Sequence, residues 1–184
     1  MLAEEAAHQL GLDEVLLIPA GEAPHKRIEP EPGPAVRLEM TERAAAGNER
    51  LTVSDIEVGR EGPSYTFRTL ELLTDERPED EFCFLMGADA AMGLESWREP
   101  QRVLELARLG MAGRPGIVLE EAEAALERLG HRGGYELIRM PELGVSSTRI
   151  RRRIADDRPI RYLVPDSVIE LIAEKGLYRE AVQV

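Results

Sequence analysis

Glu81-Phe82-Cys83-Phe84-Leu85-Met86-Gly87-Ala88-Asp89 is the stretch on which the fold turns. Phe82 to Met86 is apolar at every position, with none of the alternation of a strand that has one wet face. A run of this length without charge suits a strand covered on both sides, as parallel sheets require. Gly87-Ala88-Asp89 then turns the chain into a helix predicted to begin near Ala90.

Working upstream, Gly62-Pro63-Ser64 breaks the chain ahead of a helix through Phe67, Leu70 and Leu73, and Leu51 to Val58 reads as a strand from its β-branched content. Ala35 to Ala46 is helical and stops at Gly47. Pro19 to Pro34 is a long loop rich in Pro, Gly and charge, and loops of that length in compact domains are often functional. Val15 to Ile18 is a short buried strand, preceded by a helix over Leu2 to Leu10 that Gly11 closes. Downstream come a strand at Leu109 to Ala112, an acidic amphipathic helix over Val118 to Leu129, and a last strand at Tyr135 to Met140. Two helices finish the pattern, near Ser147 to Ala155 and Asp166 to Lys175. Strands alternating with helices predict an α/β fold with a mostly parallel sheet and helices on both faces. Ligands then bind at the carboxyl ends of the strands.

A chain of 184 residues suits one domain, taken as 1–184, and 43% hydrophobic with 32% charged residues excludes general disorder. One cysteine, Cys83, allows neither an intrachain disulfide nor a cysteine-based zinc site. Apolar runs fall far short of the roughly 20 residues that span a bilayer, so no membrane partner is expected and the cytoplasm is the default location. The net charge of -12 argues against a nucleic-acid partner, whose backbone would demand a basic face. Small anions remain open, because positive charge gathers locally at His25, Lys26, Arg27 and along Arg149, Arg151, Arg152, Arg153, Arg158 and Arg161.

Val145-Ser146-Ser147-Thr148-Arg149-Ile150-Arg151 carries the most specific chemistry. Ser146 or Ser147 is placed to cap a helix whose buried side holds Ile150 and Ile154, which leaves Thr148 and Arg151 sharing another face. A helix start with hydroxyls and guanidinium groups offers amides, partial positive charge and directed donors, the combination that phosphate oxygens need. A capped, arginine-rich surface helix is the plain alternative. Lys26, after the first strand, supplies a cation on a flexible stem. Gly87 permits close backbone approach and Asp89 offers a carboxylate to a ribose or base or to a nearby metal, or acts simply as a helix cap. Trp97 stacks on a flat ring or fills core space. Ser64, Tyr65 and Thr66 offer donors at another helix start.

Taken in order, these segments resemble the bacterial nicotinate-nucleotide adenylyltransferases of the nucleotidyltransferase superfamily. The match runs through Leu12-Asp13-Glu14-Val15 to Ile18-Pro19, Pro24-His25-Lys26, Ser54-Asp55-Ile56-Glu57, Pro63-Ser64-Tyr65-Thr66, Gly87-Ala88-Asp89, Trp97, Arg114-Pro115-Gly116, Val145 to Arg151, and Leu163-Val164-Pro165 with Gly176-Leu177-Tyr178. The resemblance implies a Rossmann-like nucleotidyltransferase fold and transfer of AMP from ATP to nicotinate mononucleotide. The products are deamido-NAD and pyrophosphate, and the step belongs to NAD biosynthesis. Magnesium accompanies ATP, no protein metal ligand is assigned, and no covalent enzyme intermediate forms. It implies that Ser147, Thr148 and Arg151 hold ATP phosphates and that Lys26 approaches the reacting phosphates. Gly87, Asp89 and Arg114 then lie along the nucleotide, while Tyr65, Thr66 and Trp97 recognise the nicotinate part.

One departure stands out. The family opens with a strand and a glycine-rich turn, G-G-x-F-D-P-x-H-x-G-H, whose histidines contact ATP phosphates, whereas Met1 to Ala6 resembles the helix beyond it. His8 and His25 do not occupy the places of those histidines. The expectation is that Met1 is an internal methionine of a longer frame, that the first, central strand is missing, and that the chain as written is unstable or inactive. A related transfer to phosphopantetheine, and a nucleotide-binding remnant without turnover, stay open as alternatives.

Overall fold

The computed structural model describes residues 1–23, 31–113, 119–131, 134–141 and 144–179. In chain order the elements are α1 (Leu2–Leu10), β1 (Val15–Leu17), α2 (Pro34–Ala45), β2 (Leu51–Val53), α3 (Thr66–Glu76), β3 (Cys83–Gly87), α4 (Ala88–Met92), α5 (Pro100–Leu106), β4 (Arg108–Ala112), α6 (Leu119–Arg128), β5 (Glu136–Ile138), α7 (Ser147–Ala155) and α8 (Asp166–Glu174), with a single 3-10 turn at Leu94–Ser96. They form two compact units, one from Met1–Val15 with Ser64–Glu142 and one from Leu16–Pro63 with Leu143–Val184.

The first unit holds a three-stranded sheet in the order β3-β4-β5, parallel throughout, with Met86 opposite Met111 and Met111 opposite Leu137. Alternation along these strands feeds two cores. Met86, Leu109 and Met111 turn to one face and bury against Ala88, Ala91, Leu94, Ala122 and Leu126 of the α4, 3-10 and α6 segments, while Leu85, Ala112 and Ile138 turn to the other and meet Leu2, Ala6 and Leu10 of α1. Helices therefore cover both faces, which is why the strand run is apolar without alternation. Gly110 in β4 makes the α1 side possible: a Cβ there would lie 2.7 Å from Leu85 Cδ2 and 3.1 Å from Leu10 Cδ1. Gln9 of α1 donates to Arg139 O at 2.8 Å and accepts from Arg139 N at 2.9 Å, which satisfies backbone just past β5 as a neighbouring strand would.

The second unit pairs β1 with β2 and packs α2, α7 and α8 through Met40, Ile150, Ile154, Ile160, Val168 and Ile172. Ser167 Oγ donates to Arg43 O at 2.9 Å, tying the start of α8 to the end of α2.

Several boundaries differ from the sequence-based expectation. β2 stops at Val53 and not at Val58, because Ser54 Oγ accepts from Ile56 N and Val58 N then closes a turn onto Asp55 O, so the β-branched residues beyond run through turns. α4 starts at Ala88, one residue after the strand ends, so Asp89 lies in its first turn and does not cap it. α5 has no counterpart in that expectation. Pro100 at its first position and Glu99 in the left-handed region at φ 49° set its start, and Val103 on it is fully buried.

Candidate active site

The candidate residues fall into two groups, one in each unit. In the first unit, the β3 carboxyl end delivers Gly87 as the last residue of the strand and the N-cap of α4, in extended geometry. Asp89, one residue into the helix, is exposed. Tyr65 is the N-cap of α3 and contributes no side-chain cap, so its hydroxyl is not spent on the helix start, and Thr66 is the first helical residue. The Tyr65 ring stacks on Phe67 with centroids 6.1 Å apart, and the Arg98 guanidinium lies 5.9 Å from the Tyr65 ring centroid. Trp97 follows the 3-10 turn, meets Phe84 edge-on at 6.0 Å and packs partly buried against the α4–α6 core. Its packing role is thus real.

Arg98 escaped sequence reasoning. Its neighbour Trp97 drew attention as an aromatic, but only the structure shows the cation above Tyr65.

In the second unit, Ser146 is the N-cap of α7, with its Oγ accepting from Arg149 N at 3.2 Å. The intrahelical ladder begins with Ile150 N on Ser146 O, so the amides of Ser147 and Thr148 precede it and are directed outward along the helix axis. Ile150 and Ile154 pack on the α8 core, as their spacing predicts. Arg151 reaches back over one turn, its Nη2 donating to Thr148 Oγ1 at 3.4 Å, while its Nε is buried without a hydrogen-bond partner. An unpaired buried guanidinium nitrogen costs free energy unless an acceptor arrives. Tyr178 lies near enough for its phenol to feel the Arg151 charge; burial pushes that phenol up, and the guanidinium opposes it.

Several arginines elsewhere in this acidic chain are ion-paired. Arg43 pairs with Glu39 and Glu174, Arg77 with Glu14, Arg102 with Glu71 and Glu105, Arg108 with Glu136, and Arg128 with Glu95. Among the described residues, none of Arg149, Arg151, Arg152 and Arg153 on α7 has a carboxylate partner, so the helix start presents uncompensated charge. Lys26 and Arg114 lie outside the described residues. Arg37, paired with Glu31, donates to the carbonyls of Ala20 and Gly21, the latter at 2.7 Å, and so holds the backbone leading toward Lys26.

The cytidylyltransferase-like family matches residues 1–153. A relative from Roseiflexus sp. (strain RS-1), named a probable nicotinate-nucleotide adenylyltransferase, is 45% identical over 97% of this chain and 89% of its own length. The chain belongs to the nicotinate-nucleotide adenylyltransferase family. Another of these adenylyltransferases, from Thermus thermophilus, is 42% identical over 97% of this chain and 90% of its own. The fold agrees with that of the Plasmodium falciparum nicotinic acid mononucleotide adenylyltransferase complexed with APC, at a TM-score of 0.74 and 17% identity over 97% of this chain and 89% of that one. Rossmann-like nucleotidyltransferase architecture is thereby shown for this adenylyltransferase. No helix among its described residues is long and apolar enough to cross a membrane.

Proposed function

We infer that the protein adenylylates nicotinate mononucleotide from ATP, and that the start of α7 receives the ATP phosphates. An oxygen of the mononucleotide phosphate attacks the α-phosphorus of ATP; a new phosphoanhydride forms, the α–β bond breaks, and pyrophosphate leaves with its electron pair. Neither a protein nucleophile nor a redox step is needed, so the protein's work is positioning and charge stabilisation. The observation that carries the reading is the α7 start itself, with two outward amides, the Thr148 hydroxyl and an Arg151 whose buried Nε lacks an acceptor.

In this reading Ser147, Thr148 and Arg151 bind phosphate oxygens, Lys26 approaches the reacting phosphates, and Gly87, Asp89 and Arg114 lie along the nucleotide. Tyr65, Thr66 and Trp97 receive the nicotinate ring and its carboxylate, with Arg98 as an added cation for that carboxylate. Mg2+, a hard, oxygen-preferring cation that suits a site whose own donors are amides, hydroxyls and guanidinium groups, would enter with ATP. When bound, it would screen the charge on the phosphates. The reaction is expected in the cytoplasm.

The test is acceptor competition on the purified protein. Deamido-NAD formation from nicotinate mononucleotide should outpace adenylylation of phosphopantetheine by orders of magnitude. Equal rates, or a preference for phosphopantetheine, would overturn the assignment.

A further inference from the structure

α7 has a second charged flank that the adenylyl-transfer reading does not use. At about 100° per residue, Arg149 and Arg153 fall close together and roughly 150° around the helix from the Thr148–Arg151 face. On that flank the second unit contains a cavity of about 480 Å3, lined by Arg149, Arg153, Pro159, Arg161, Tyr162 and Leu163 among others. Its volume falls in the range of small-ligand sites, roughly 300–1,000 Å3.

The guanidinium groups around it are oriented but not neutralised. Arg149 Nη1 donates to Gly144 O at 2.8 Å, and Arg153 donates to Pro159 O through Nε at 2.9 Å and Nη2 at 2.6 Å. Backbone carbonyls fix the planes of both groups while leaving the full charge on each. Arg161 is 3.6 Å from the Asp166 carboxylate, and both side chains are about two-thirds exposed, so that pair is weak. Among the described residues, three cations on one small cavity therefore share a single ion-paired carboxylate, in a chain whose net charge is -12.

The rim is aromatic and held open. Tyr162 is 93% exposed and stands at φ 65°, a left-handed conformation unusual for so large a side chain. Leu163 N closes a turn on Ile160 O at 3.0 Å, Arg161 bridges to Val164, and Ile160 is buried in the α7–α8 core, so the turn is anchored from below and the ring is displayed. Strain of this kind persists only where the surroundings enforce it. A flat ring matches the exposed tyrosine and the apolar Leu163, and a doubly or triply charged tail matches the arginines.

We propose that this cavity is a second nucleotide site, binding a nucleoside di- or triphosphate on the flank of α7 opposite Thr148 and Arg151. The proposal does not depend on which acceptor the enzyme adenylylates. ADP is the probe, titrated calorimetrically into Arg151→Ala protein, in which the first face is weakened, and then into the same variant carrying Arg161→Glu or Tyr162→Gly. Both added changes are at exposed positions, and glycine relieves the positive φ, so unchanged thermal unfolding is the control for folding. The expected result is one ADP bound per Arg151→Ala chain, weakened at least ~10-fold by either added substitution, because charge-assisted hydrogen bonds and ring stacking are both lost. No ADP binding in Arg151→Ala protein, or binding indifferent to both substitutions, would overturn it. So would a change in sedimentation behaviour with either substitution while ADP affinity stays constant, which would make the flank an interface between copies. Failure of the ATP-phosphate reading shows separately, as an Arg151→Ala change without effect on the first site.

Discussion

The two groups of candidate residues are built in opposite ways. In the first unit the candidate residues are part of the packing: Trp97 meets Phe84, Tyr65 stacks on Phe67, and Gly87 is the last residue of a strand whose Met86 is in the core. In the second unit Ser147 and Thr148 are exposed and the α7 arginines lack carboxylate partners among the described residues, so this helix start holds little of the fold together. Side chains that recognise a flat, largely apolar ring can serve as core on their inner edge, whereas groups that recognise a polyanion must keep their charge available. Substitutions in the first group should therefore cost stability and binding together, and those of Ser147, Thr148 and Arg151 should cost binding alone.

Trp97→Ala is the largest break of the first kind. It removes the edge-on contact with Phe84 and part of the α4–α6 core, for a loss of ~3 kcal/mol in chemical denaturation, along with a raised Michaelis constant for the mononucleotide. A stable Trp97→Ala protein with only its acceptor affinity changed would show that the indole belongs to the site and not to the core.

How much of this was legible in the sequence depends on whether the cause is local. The helix over 147–155, its Ser146 cap and its Ile150–Ile154 face follow from spacing and cap chemistry, as does the strand through Met86. The α5 helix did not, because its seven residues are set by a proline and a left-handed glutamate and not by a long amphipathic pattern. β2 was overextended because a serine side chain and a turn overrode β-branched content. Arg98 over Tyr65 joins residues 33 apart in the chain, and Gly110 is explained only by α1 on one side and Leu85 beside it. Which α7 arginine keeps an unsatisfied nitrogen was equally invisible, since Arg149, Arg151 and Arg153 differ only in what the fold puts beside them.

Ser146→Ala sharpens the contrast from the other side. It should lower stability by ~1 kcal/mol through loss of the cap and weaken ATP only as far as the helix start frays. Arg102→Ala tests the neutralised arginines: exposed ion pairs are worth about 1 kcal/mol or less, so unfolding should shift slightly and ATP affinity not at all. A large ATP effect there would erase the distinction between paired and unpaired cations.

Tyr135→Phe gives the smallest effect, confined to alkaline pH. The Tyr135 hydroxyl donates to the Glu123 carboxylate, and this hydrogen bond, with burial, pushes its pKa from 10.0 up to about 12. A raised folded-state value means stability that is fully present below pH 10 and lost as pH rises toward 12. Wild type should lose stability relative to Tyr135→Phe only across that window, and identical alkaline unfolding curves would contradict the pairing.

The most direct test is the ATP dissociation constant, measured by calorimetry on Arg161→Glu protein, where the flank cavity is silenced, with and without Arg151→Ala. The account predicts at least ~10-fold weaker binding on loss of Arg151, from the loss of a charge-assisted contact, with thermal unfolding unchanged. Equal ATP affinity in the two proteins would contradict the assignment of the α7 start to the nucleotide phosphates.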